Sequence, residues 1–246
     1  MRSLFLLMGI ALGATLNLSG QDSITNAATT IVSRQVAAYN ARDLDAFANC
    51  YTENVWVGRF PSNLFYKGRD TLRQKYSDYF DRVANTQVEV LQRIALGNIV
   101  IDKELATDGE QKTHQVAIYT VTAGGIAQMN FIFDEDVPDP VPIVAQQLEA
   151  YNNRDIEGFM KTYTEDVRLF NYPDQPLSQG QAPMRANYKG FFENTPDLNC
   201  EIKNRIVIGN KVIDQDYLTI NGKPYSAIAV YEVEAGKIAR VTFIQP

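Results

Sequence analysis

The stretch Ala37–Val55 reads "AAYNARDLDAFANCYTENV", and Glu149–Val167 reads "EAYNNRDIEGFMKTYTEDV". Tyr39 is matched by Tyr151, 151 − 39 = 112 residues on, and that offset persists far beyond the opening phrase. It pairs Arg42 with Arg154, Asp43 with Asp155, Phe47 with Phe159, Tyr51 with Tyr163, Pro61 with Pro173, Gly68 with Gly180 and Tyr76 with Tyr188. Further on, "RIALGNIVID" from Arg93 faces "RIVIGNKVID" from Arg205. Self-similarity at one long offset, almost without gaps, marks a duplicated domain rather than a solenoid. The copies are residues 22–133 and 143–246. Between them "DEDVPDPVP", 134–142, is acidic and proline-rich, the composition of an extended connector without a core of its own.

Each copy has the same internal plan. Ile31, Val32, Gln35, Val36 and Tyr39 at helical spacing predict a first helix over about Ala28–Asn40. Asp43, and Asp155 in the second copy, is placed to cap the next helix, which sets Leu44, Phe47 and Tyr51 on one face. A short strand follows through "VWVGRF" or "VRLFNY". A loop carrying Gly68 or Gly180 leads to a third helix, with Leu72, Tyr76 and Phe80 matched by Met184, Tyr188 and Phe192. The remainder alternates as strands joined at Gly97-Asn98, Asp108-Gly109 and Gly124-Gly125. Three helices and then hairpin-linked strands make an α+β plan with helices on one side of an antiparallel sheet.

Composition excludes several function classes. The 246 residues carry a net charge of −6, with no block of Lys or Arg, which argues against nucleic acid or an anionic membrane as partner. One histidine, His114, and two cysteines, Cys50 and Cys200, at non-equivalent positions give no metal-ligand cluster and no disulfide framework. No cofactor is expected, and the two thiols are expected to be free and buried. "MRSLFLLMGIALGATLNLSGQ" has a positive start, an apolar run too short to span a bilayer and small residues near Gly20. That layout predicts a signal peptide over 1–20 and a secreted or periplasmic protein.

The first phrase, "KGRDTLRQKYSDYF" and the hairpins ending in "GGIAQMNFIF" together resemble the NTF2-like superfamily, specifically its SnoaL-like branch. The resemblance covers nearly all of both copies and implies two tandem cones, each a strongly curved antiparallel sheet wrapped over three helices around a pocket. It implies a small-molecule ligand in one or both cones, or an isomerase, cyclase or hydro-lyase acting on a polyketide- or steroid-like molecule. It also implies that the copies pair as an intramolecular pseudo-dimer. The catalytic positions of ketosteroid isomerase-like members fall here on Arg59 and Asn171 for the base, Ala117 and Ala229 for the acid, and Gln35 and Gln147 for the tyrosine. None keeps its chemistry, so the cavities are expected to lack that carboxylate machinery.

Candidate ligand-binding residues are Val57, Arg59, Tyr39, Tyr76 and Tyr119 in the first copy, with Leu169, Asn171, Tyr151, Tyr188 and Tyr231 in the second. Arg59 reads equally as a cavity residue or an exposed strand-end residue. His114 is the one group titrating near neutrality and so the candidate general base, against the plainer reading of a surface strand histidine. Glu89 and Arg93 recur as Glu201 and Arg205 on one strand face, an ion pair or a polar patch.

Overall fold

The computed structural model describes residues 18–245. The segment read as a signal peptide falls almost wholly on residues 1–17, outside the described residues. The described chain divides into two compact units between Asp134 and Glu135.

In the first unit, α1 (Leu18–Asn40), α2 (Leu44–Ala48), β1 (Tyr51–Arg59), β2 (Asn63–Lys67) and α3 (Arg69–Arg82) precede the strand run β3 (Thr86–Leu96), β4 (Ile99–Asp108), β5 (Gln111–Thr122) and β6 (Gly125–Phe133). The second unit repeats the order with α4 (Val141–Asn152), α5 (Ile156–Lys161), β7 (Tyr163–Asn171), β8 (Gln175–Gln179), α6 (Gln181–Asn194), β9 (Asn199–Ile208), β10 (Lys211–Ile220), β11 (Lys223–Glu234) and β12 (Lys237–Ile244). The sheets run β2-β1-β6-β5-β4-β3 and β8-β7-β12-β11-β10-β9. All neighbours are antiparallel except β1 with β6 and β7 with β12. These are two tandem α+β cones of the NTF2-like type.

The repeated phrase turns out to be structural, and each of its polar residues has a task. Arg42 and Arg154 take positive φ, 56° and 55°, and turn the chain out of the first helix. Asp43 then accepts a hydrogen bond from Ala46 N at 2.9 Å, and Asp155 accepts from Glu157 N and Gly158 N, so each aspartate caps its helix. Asn40 clamps the edge strand β3: its amide donates to Val88 O and its carbonyl accepts from Val88 N, both at 2.8 Å. Asn152 makes the same pair of bonds to Cys200 on β9. These bonds satisfy backbone groups that an edge strand would leave open. The Arg42 guanidinium donates to Phe80 O, Val83 O and Ala84 O, covering carbonyls that the end of α3 leaves unpaired.

Several expectations need correction. The first helix begins at Leu18, ten residues before Ala28. The second helix is short, and Tyr51 and Tyr163 open strands instead of extending it. The loops before Gly68 and Gly180 contain strands β2 and β8, entered at cis Phe60–Pro61 and Tyr172–Pro173. Glu89 and Arg93 do not share a face. Val90 pairs with Glu104 and Gln92 with Lys103, so Leu91 is an extra residue that reverses the alternation. Arg93 instead meets Asp102 across the strands, and Arg205 meets Asp214, each through two bonds of 2.6–2.7 Å.

The cores are aromatic. Tyr51, Tyr163, Phe47 and Phe159 are fully buried. Phe47 lies 4.5 Å from Tyr76 between ring centroids, and Phe159 lies 4.6 Å from Tyr188. Both cysteines are free and buried. Among the described residues, no helix is long and apolar enough to cross a membrane, and no cluster of His, Cys, Asp or Glu could hold a metal.

Candidate functional site

The first cone encloses an open cavity of about 620 Å³. Helix α1 contributes Gln35, Val36 and Tyr39, and β1 and β2 contribute Val57, Phe65 and Tyr66. Helix α3 supplies Tyr76 and Tyr79, and the sheet supplies Val88, Glu104, Ala106, Gln115, Tyr119, Met129, Phe131 and Phe133. Lys75, Asp78, Arg82 and Asp108, all exposed, stand around its outer part. Period-two alternation explains the selection from β5: Thr113, Gln115 and Tyr119 face inward together.

Glu104 is the chemical centre of this wall. It is 2% exposed, yet its carboxylate forms no ion pair among the described residues. Gln115 Nε2 donates to Oε2 at 2.8 Å, and the Tyr119 hydroxyl donates to Oε1 at 3.1 Å. Burial pushes its pKa up to about 7; the Gln115 bond opposes that rise, and the charge of Asp102 adds to it. Such a group is present both as acid and as base near neutrality. The neighbouring Arg93 is occupied by Asp102 and by Ser33 Oγ at 2.7 Å. Burial likewise raises the carboxyl of Asp102, partly offset by the bonds from Arg93. A second acceptor, Gln35 Oε1, is buried on the same wall without a hydrogen-bond partner. Burial raises the hydroxyls of Tyr39, Tyr66, Tyr76 and Tyr119, so these four stay protonated.

The expectation that the cavities lack a carboxylate is therefore overturned. The positions inspected for it, Arg59, Ala117 and Gln35, indeed carry none, but Glu104 lies on β4, one strand over from Ala117. The sequence held a signal: "IVIDKEL" and "KVIDQDYL" both place two acids two positions apart, on one face of a largely buried strand. In the second unit those acids are Asp214 and Asp216.

The second cone is closed. Its cavity measures about 50 Å³, room for little more than a water molecule. Leu218 stands where the first copy has Ala106, Leu198 replaces Thr86, and Phe191 replaces Tyr79; all three are buried. Tyr225, replacing Thr113, packs against the same core. Asp216 corresponds to Glu104, but Ala227 replaces the donor Gln115, and Asp216 Oδ1 is buried without a partner. Burial holds its carboxyl well above the ordinary range, with Asp214 adding to the effect.

The candidate residues separate accordingly. Val57, Tyr39, Tyr76 and Tyr119 meet on the first cavity's wall, and Tyr151, Tyr188 and Tyr231 surround the small second one. Arg59 is exposed at the end of β1, its guanidinium over the Phe133 ring at 5.6 Å from the centroid, beside the cavity and not in it. Leu169 is a core residue, and Asn171 sits half-buried at the end of β7, paired with Phe243 and Gln175, without lining the second cavity itself. His114 faces outward and is exposed, since it alternates with the inward Thr113 and Gln115. It cannot act as a base within the cavity.

A family description, the SnoaL-like domain, matches residues 32–129 and again 144–241. The chain belongs to the SnoaL-like family. Solved structures are similar to parts of the chain at low identity. A cystatin-fold protein from Novosphingobium aromaticivorans is 24% identical over 44% of this chain and 100% of its own, with a TM-score of 0.42. A SnoaL-like protein from Burkholderia thailandensis is 16% identical over 46% of this chain and 98% of its own, with a TM-score of 0.40. An NTF2-like protein from Cytophaga hutchinsonii is 16% identical over 44% and 91%, with a TM-score of 0.37. Among curated proteins, none matches the chain.

Proposed function

We propose that this chain is a small-molecule-binding protein with one working pocket, that of its first SnoaL-like domain. The observation that carries the reading is the contrast between two copies of one fold, about 620 Å³ open in one and about 50 Å³ in the other. A volume in the range of ligand pockets, lined by aromatic rings with a few inward polar groups, suits a partly apolar molecule. The second domain then serves as a closed structural partner in sequence, its core filled by leucine and phenylalanine. The short apolar run at the start of the sequence supports export from the cytoplasm. Native mass spectrometry of the chain purified from its own source tests the reading. One retained small molecule per chain is expected; two per chain, or retention unaffected by Ala106→Leu, would contradict it.

Glu104 favours a second reading, an enzyme that moves a proton on the bound molecule. A buried carboxyl near neutrality beside a tyrosine donor is equipped for general acid–base chemistry. Turnover of a retained ligand, with a rate that follows Glu104 titration and is lost in Glu104→Gln, would select this reading over binding alone.

A further inference from the structure

The wall around Glu104 holds a buried carboxylate and one buried acceptor without a donor. Gln115 and Tyr119 donate to the two carboxylate oxygens, an arrangement that stabilises the ionised form. Arg93 favours the ionised form only through space, because its guanidinium is bound at both ends by Asp102 and by Ser33. Gln35 Oε1 adds a buried acceptor with no partner. The other charged or titratable groups facing Glu104 are Asp102 on β4, Tyr119 on β5, Tyr51 on β1 and Tyr76 on α3, none of them cationic. The cavity's cationic side chains stand at its outer part and are taken up by outer rings. Lys75 Nζ lies over Tyr66 at 5.3 Å, and the Arg82 guanidinium lies over Tyr79 at 6.0 Å. Deeper in, Tyr39, Tyr76 and Tyr119 line the same cavity as the carboxylate, with no cation over their rings among the described residues.

A buried carboxylate in a cavity lined by tyrosines is the recognition chemistry of an organic cation. We propose that the first-domain cavity takes a small molecule whose apolar body ends in an ammonium group, alkylated or protonated, seated against Glu104 and enclosed by Tyr39, Tyr76 and Tyr119. This rests on the cavity being a ligand site. The second domain has the matching Asp216 and tyrosines but no space, so one cation binds per chain.

Binding a cation requires the ionised carboxylate. The empty site is mostly protonated below pH 7, so binding there releases a proton, and affinity for the cation rises about tenfold per pH unit up to pH 7 and then levels. The test is titration calorimetry of the full chain with benzyltrimethylammonium and with the uncharged 2-phenylethanol, at pH 6 and pH 8, in buffers of different ionisation enthalpy. The cation is expected to bind at least tenfold more tightly than the alcohol at pH 8. It should release close to one proton at pH 6, and lose its advantage in Glu104→Gln. Equal or tighter binding of the alcohol, or cation binding indifferent both to pH and to Glu104→Gln, would overturn the proposal while leaving the pocket reading standing. If neither compound binds, both fail together. Should Glu104→Gln not fold, proton release by the unaltered chain decides alone.

Discussion

Replacing Glu104 by glutamine should stabilise the ligand-free protein at alkaline pH, although it removes a central residue of the site. Burial raises the folded-state pKa of Glu104 from its ordinary 4.5 to about 7, so the folded chain holds that proton more tightly than the unfolded chain does. Folding therefore incurs no penalty at this group well below pH 4.5. The penalty grows as pH rises from there to 7 and is constant above. At about 1.4 kcal/mol per pH unit of separation the full penalty is about 3.5 kcal/mol, of which about 2.5 kcal/mol develops between pH 5 and pH 8. Solvent screening does not reduce this much, since the residue is 2% exposed. A glutamine carries no such cost at any pH and can still accept from Tyr119. Urea unfolding followed by the fluorescence of Trp56, the only tryptophan, reports on the first domain because Trp56 lies in β1. The stability of Glu104→Gln relative to the unaltered chain should move by about 2.5 kcal/mol in the variant's favour between pH 5 and pH 8. A difference that is the same at both pH values would refute the view that an unneutralised carboxylate is buried there.

Other expectations are more local. Ala106→Leu copies the second domain's Leu218 into the first and should cut binding of any pocket ligand at least tenfold, read by calorimetry, with Trp56 unfolding little changed. Asn40→Ala removes both bonds to Val88 and should cost about 1–3 kcal/mol, with faster hydrogen exchange at the Val88 amide by mass spectrometry. Asp43→Ala and Asp155→Ala each remove a helix cap and should each cost about 1 kcal/mol in urea denaturation, whereas His114→Ala should leave binding unchanged.

The fold was legible because duplication repeats its own evidence. A helix pattern that recurs 112 residues later with different residues and the same periodicity is hard to misplace. Capping by Asp43 and Asp155 was legible for the same reason, since a short acceptor before a helix has one local use. Strands β2 and β8 were not, because "SNLFYK" and "DQPLSQ" are short, polar and pinned by pairing to β1 and β7 rather than by their own alternation. Tyr39, Tyr76 and Tyr119 were candidates through the resemblance, whereas Tyr66 and Tyr79, which stand on the same wall, were not. Glu104 was missed for a physical reason. Charged residues such as Asp102, Lys103 and Glu104 in a row give no alternation from which to read a face, and the three-dimensional neighbours Gln115 and Tyr119 show that the face of Glu104 is the inner one. The size of each cavity was also beyond the sequence, because it turns on cross-strand substitutions such as Ala106 against Leu218, whose effect depends on what stands opposite.

Anomalous diffraction from crystals grown with 4-bromobenzyltrimethylammonium would locate an occupant of either cone directly. One bromine site per chain is predicted, inside the cavity of the first domain, with the ammonium end toward Glu104, Tyr39, Tyr76 and Tyr119. A bromine site in the second domain, or sites confined to the outer surface, would contradict the account.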